Sequence, residues 1–198
     1  MLRTVPAALV AALAAAMAAA GCDSKPAAPT TETFTSQAQG FSLTFPADWR
    51  KSTPGYGMDL EIIPPDQKDP NVFRDDIFVR VEGLADPMPL EDYFDVKVAK
   101  GVKNMPDYKE IEKGPARLGG TDARRLVYSY VNDDTPVTSI TYFVVSGLRG
   151  YIVAANVVTD RFRDRRIQFE EIVQTFRLLN QPPPAPAEAP PAPPGKKT

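Results

Sequence analysis

Between residues 34 and 179 the apolar positions recur with two different periods, and the chain ends carry neither. Phe41-Ser42-Leu43-Thr44-Phe45 alternates with period two and stops at Pro46. That pattern predicts a half-buried strand. Met58 to Ile63, ending at Pro64-Pro65, and Ile77-Phe78-Val79-Arg80-Val81 predict two more strands. Tyr108 to Leu118 and Ala123 to Val131 flank Gly119-Gly120, which predicts a hairpin with the glycines at positive φ. Val137 to Ser146 and Arg149 to Val158 predict a second hairpin across Gly147. These later strands are apolar on both faces. Leu126, Tyr128 and Tyr130 alternate with Val127, and Ile140, Tyr142 and Val144 with Phe143 and Val145. Such a sheet must be covered on both sides.

Two helical patterns can supply the cover. From Pro89 to Asn104, Leu90, Phe94, Val98 and Val102 form one stripe at i+4 spacing. Pro89 suits the first turn, and Glu91 and Asp92 suit the positive end of the dipole. A second helix is predicted from Thr159-Asp160, both good N-cap types. It would present Phe162, Phe169, Ile172, Val173 and Phe176 inward. The expected layers are helix, sheet, helix around a mainly antiparallel sheet, an α+β class.

Composition then removes chemistry. The chain has 198 residues, a net charge of −2, one cysteine and no histidine. No basic field exists to draw nucleic acid. A lone cysteine forms no internal disulfide. Without histidine there is no imidazole metal ligand, no Ser-His-Asp triad and no Cys-His dyad. No serine stands in a G-x-S-x-G context, and no glycine-rich phosphate loop occurs. The expectation is a non-enzyme without cofactor or metal.

The N-terminal end reads as a targeting segment. Arg3 is followed by an apolar, alanine-rich run from Ala7 to Ala20. As a helix it would reach only about 21 Å, against a bilayer core of about 30 Å. Residues 1–21 are therefore read as a signal peptide. Ala19-Ala20-Gly21-Cys22 resembles the lipobox of bacterial lipoprotein precursors, with Ala19 where leucine is commoner. The resemblance implies cleavage between Gly21 and Cys22 and a diacylglycerol on the Cys22 thiol. The alternative is an ordinary signal with a chance cysteine. Two or three acyl chains would hold the protein to a membrane stably. Asp23 resembles the inner-membrane retention signal of enteric lipoproteins. Residues 22–33 are small, polar and proline-bearing and read as a tether; residues 180–198, rich in proline and alanine, read as a disordered tail that favours polyproline II.

Within residues 34–179 the chain resembles PsbP-like and DcrB-like domains. The resemblance rests on Phe41 to Trp49, on Leu118-Gly119-Gly120-Thr121-Asp122-Ala123 and on the closing Phe169 to Arg177. It implies an α/β/α sandwich with a central antiparallel sheet, and function by binding proteins. Metal ions have been linked to PsbP relatives, but the histidines used there have no counterpart in this chain.

The remaining candidates are few. Trp49 is expected to pack at a sheet edge, with an interface role as the alternative. Asp75-Asp76 and Asp133-Asp134 are expected to be solvated acids, the second pair in a turn. Asp69-Pro70-Asn71 begins like a calcium loop and fails at Phe73. Arg161, Arg163, Arg165 and Arg166 precede Glu170 and Glu171 on the second helix, an order opposed to the dipole. They are read either as a locally balanced face or as a patch for an anionic partner. The function expected is a lipid-anchored envelope module, facing the periplasm, that docks an envelope protein. The alternatives are a histidine-free envelope enzyme and a carrier of an apolar ligand.

Overall fold

A computed structural model describes residues 30–52, 57–69 and 72–179. Gly21, Cys22, Asp23 and the 180–198 tail lie outside the described residues, as does most of the tether. Ten strands and two helices follow one another: β1 (Thr31–Ser36), β2 (Phe41–Pro46), β3 (Arg50–Ser52), β4 (Leu60–Ile63), β5 (Asp76–Gly83), α1 (Leu90–Lys100), β6 (Lys109–Leu118), β7 (Thr121–Asn132), β8 (Thr135–Ser146), β9 (Arg149–Val158), α2 (Phe162–Val173) and β10 (Arg177–Leu178). Strand β1 begins inside the segment read as tether, because Thr31 to Ser36 pairs along the whole of β2.

Seven strands form the main sheet in the order β3-β4-β5-β9-β8-β7-β6. Every pairing in it is antiparallel. Strands β6 to β9 form a meander that returns β9 beside β5. The turns follow from local chemistry. Gly119 and Gly120 both take positive φ (57° and 91°), as do Asp133 and Asp134 (45° and 64°). Two consecutive positive-φ residues match the right-handed twist of the strands they join. Asp133 and Asp134 are exposed in their turn, as expected.

Alternation sends each strand's apolar residues to two separate cores. Leu60, Ile62, Ile77, Val79, Val127, Ile140, Tyr142, Val144, Val153 and Ala155 meet α2 through Phe169, Ile172 and Val173. Leu126, Tyr128 and Phe143 meet α1 through Tyr93, Phe94 and Val98, and Val102 extends that stripe in a 3-10 turn. The layer order is helix, sheet, helix. One element adds to it: a small sheet, β1-β2-β10, packs on the α2 side through Phe41, Leu43 and Phe45. Trp49 is buried against Phe169, with ring centroids 5.1 Å apart, and so belongs to the core.

The start of the second helix differs from expectation. Thr159 and Asp160 fall in a 3-10 turn, Thr159–Arg161, and no side chain caps α2. Thr159 instead pairs its hydroxyl with that of Thr138 at 3.0 Å. On the other face, the Tyr93 ring lies where a side chain on Gly150 would stand, 2.4 Å from an added Cβ. Gly150 thereby lets α1 sit close on β9.

Candidate functional site

The arginines of α2 and its leading turn do not form a free patch. Arg161 grips Asp75 with two bonds, Nε to Oδ2 at 3.0 Å and Nη2 to Oδ1 at 2.8 Å. Asp75 is fully buried and also accepts the backbone N–H of Val158 at 2.9 Å. Arg165 pairs with Asp66 and lies 3.8 Å from Asp75. Arg166 reaches Glu112 and Glu170. Arg163 alone is exposed with no ion pair among the described residues. The charge order against the dipole therefore has an internal cause: Asp75 lies beneath the start of α2 and demands cations there.

The expectation of solvated acids fails at Asp75-Asp76. The two carboxyls do point to opposite faces, as neighbours on a strand must. Asp75 goes to Arg161, whereas Asp76 goes to Asn156, whose Nδ2 donates to Oδ1 at 2.9 Å. Asp75 is buried and Asp76 half-buried. Desolvation, followed by the neighbouring charges of Glu61 and Asp75, pushes the Asp76 pKa well above the usual carboxylate range, and the Asn156 bond only partly opposes this. An acid with a raised folded pKa stabilises the protein below its unfolded pKa of about 3.9 and ceases to as pH climbs through the folded value. Wild-type stability should thus fall as pH rises above the ordinary aspartate range. Asp76→Asn, which keeps the acceptor for Asn156, should reduce that fall and be more stable than wild type at pH 8. Urea midpoints from pH 5 to 9 measure it, and parallel curves for the two proteins would refute it.

Asp76 lies in a polar row that crosses the α1 face of the sheet. Asp76 pairs with Asn156, Asn156 with Ser139, and Ser139 with Tyr128. Ser139 and Thr141 join hydroxyls at 3.0 Å. Helix α1 lies over β7, β8 and the start of β9 at Gly150, and leaves the sheet face around Phe78 and Ile152 partly open. A half-open cavity of about 300 Å³ remains there. Its floor holds Phe78, Thr141, Phe143 and Ile152, and its walls hold Val102, Met105, Arg80, Lys97 and Lys100. Periodicity along each strand shows which of its residues share a face, but not that a short helix would leave part of the sheet open. Among the described residues, no group of three or more acidic or cysteine side chains could hold a metal ion, and no helix is long and apolar enough to cross a membrane.

Helices on both faces of a wholly antiparallel sheet define an α+β sandwich. The chain belongs to the family of PsbP-like proteins, which its residues 22–178 match. Comparison with curated protein sequences finds no match. Among the solved structures that share the fold are the following three. The cyanobacterial PsbP protein CyanoP of Synechocystis sp. PCC 6803 is 13% identical, with a TM-score of 0.57, over 80% of this chain and 98% of its own. LpqN of Mycobacterium tuberculosis, described as involved in cell envelope biogenesis, is 18% identical, with a TM-score of 0.57, over 74% and 89%. The Ran-binding protein Mog1p of Saccharomyces cerevisiae is 10% identical, with a TM-score of 0.50, over 77% and 97%.

Proposed function

We propose that this protein is a lipid-anchored component of the bacterial cell envelope, facing the periplasm, that acts as a non-catalytic binding or assembly module for an envelope protein. The observation that carries the reading is the span of the family match. It begins at residue 22, the same cysteine at which the lipobox-like Ala19-Ala20-Gly21-Cys22 would be cut and acylated. The thiol serves as an attachment point, and the PsbP-like domain is held at a membrane on a short tether. Asp23 favours the inner membrane. Two structural neighbours support the binding role: LpqN through its part in envelope biogenesis and Mog1p through its binding of Ran. The absence of histidine from the chain supports a role without imidazole chemistry.

The test uses intact cells. Wild type should incorporate a labelled fatty acid and fractionate with membranes. Cys22→Ser should lose the label, lower the membrane-bound fraction at least about tenfold, and lose the envelope proteins crosslinked to wild type, because noncovalent contacts alone do not replace two or more acyl chains. If Cys22→Ser stays with the membrane as wild type does, the anchor is elsewhere and the reading fails.

A further inference from the structure

A cleft between the two sheets lies at the end of the small sheet farthest from where the tether joins. Strand β1 begins at Thr31 opposite Pro46 and reaches Ser36 five residues on, roughly 17 Å away. There the β1–β2 turn, the end of β10 and the β8–β9 turn enclose about 380 Å³ of half-open space. Gly40 and Leu178 line it from the small sheet's side, and Ser146, Leu148, Arg149 and Tyr151 from the main sheet's. The Tyr151 hydroxyl ties the two sides together by donating to the Gln39 carbonyl at 3.0 Å.

Two features of this cleft are not explained by folding. Arg149 is half-buried yet has no ion pair among the described residues, and no carboxylate lines the cleft. Its guanidinium does not simply reach into water. Nη1 lies 3.1 Å from where a Cβ on Gly40 would stand, so that glycine, at a φ of 74°, makes room for the cation. Partly desolvating a charge without a counter-charge costs free energy, and an incoming anion would recover it. Leu148, beside it, is 52% exposed. Its carbonyl accepts the Leu84 N–H at 2.9 Å, which fixes the turn to the end of β5 and holds the side chain out. A placed cation therefore stands next to a placed apolar side chain, on an end that an anchored domain leaves accessible.

We propose that the cleft at the β8–β9 turn docks an acidic peptide segment of the partner protein. A carboxylate of that segment sits on Arg149, and a flanking apolar side chain packs on Leu148. This surface rests on the binding-module reading above and gives the contact its place and its chemistry. A lipid head group suits it less, because the tether joins the domain at the other end of β1.

The probe is the peptide acetyl-Gly-Ala-Leu-Glu-Leu-Ala-amide, with glutamine for glutamate as its uncharged counterpart. Each is titrated by NMR into the full chain carrying Cys22→Ser. The glutamate peptide should bind with a Kd of about 1 mM or tighter, and the glutamine peptide at least about fivefold more weakly. Arg149→Gln should weaken the glutamate peptide about fivefold and leave the glutamine peptide nearly unchanged. Leu148→Ser should weaken both. Amide shifts should centre on Ser146 to Tyr151 and on Gln39 and Gly40. Vesicles of phosphatidylglycerol should produce no such shifts, and truncation after Asn180 should leave the affinity as it was. Thermal unfolding checks that each variant is folded. The two peptides on the unsubstituted cleft decide alone should a variant not fold. Absent binding, equal affinity for the glutamine peptide, wild-type affinity in Arg149→Gln, or shifts centred elsewhere would overturn the proposal. So would vesicle shifts equal to the peptide's, which assign the cleft to lipid, or tighter binding after truncation, which assigns it to the chain's own tail through Glu188. None of these results reads out Cys22 or the proteins crosslinked in cells. Failure here therefore leaves the anchored module standing, and failure of the anchor leaves this cleft to be judged on the peptides.

Discussion

Replacing Arg161 with methionine is expected to destabilise the domain by about 2–4 kcal/mol. The carboxylate of Asp75 has no exposed surface, and Arg161 supplies two of its hydrogen bonds. Without Arg161 it keeps the Val158 N–H at 2.9 Å and a more distant Arg165 at 3.8 Å. Breaking a buried pair by removing one partner costs about 3–5 kcal/mol, because a desolvated charge is left behind. The figure is lowered here because the Arg161 side chain is 42% exposed, so water can reach the vacated position. Gln67 adds a constraint, since its Oε1 accepts from both Arg161 at 3.3 Å and the Asp75 N–H at 3.4 Å. A control separates charge from packing. Adding Asp75→Asn to Arg161→Met should recover more than about 1 kcal/mol, because no buried charge remains. Equal stability of single and double variants in urea at pH 7 would show that the pair is not what orders the start of α2.

The part of this molecule legible in its sequence is the part governed by local chemistry. Strands β6 to β9 could be read because each is long and successive strands are joined by a turn with its own signal: Gly119-Gly120, Asp133-Asp134 or Gly147. The stripe of Phe94, Val98 and Val102 located α1 for the same reason. The small sheet was not legible. Strand β10 is only two residues, and β1 carries a single large apolar residue, Phe34, so neither shows a period. Arg161 and Asp75 are 86 residues apart, and nothing near Asp75 marks it as buried. The arginines suggested a surface patch because charge order along a helix is visible in sequence and a carboxylate beneath its first turn is not. The pocket is the same kind of case. Its floor comes from three strands, and it exists because an 11-residue helix is too short to cover a seven-stranded sheet.

Gly119→Ala is expected to lower stability by about 2–5 kcal/mol, more than Gly147→Ala. The two glycines hold almost the same backbone conformation, with φ of 57° and 59°. An L-residue in that left-handed region is disfavoured by about 1–2 kcal/mol, so conformation alone predicts nearly equal losses. Their surroundings differ. A Cβ on Gly147 would meet nothing within 4 Å, whereas one on Gly119 would lie 1.7 Å from the carbonyl oxygen of Phe176. Backbone must therefore move, and the segment after α2 is poorly able to do so. Phe176 is buried, with its ring 5.8 Å from Phe41 and 5.9 Å from Tyr151. Gln174 ties the same segment to the turn by donating to the Arg117 carbonyl at 3.0 Å, and Arg177 donates to the Phe176 carbonyl at 2.7 Å. Displacing Phe176 disturbs the small sheet and the α2 core together, and overpacking of this kind adds about 1–3 kcal/mol. Gly147→Ala should lose only about 1–2 kcal/mol. Guanidinium unfolding of both variants beside wild type measures the difference. Losses that agree within about 0.5 kcal/mol would mean that the β6–β7 turn is not clamped against the end of α2, and that its glycines serve the hairpin alone.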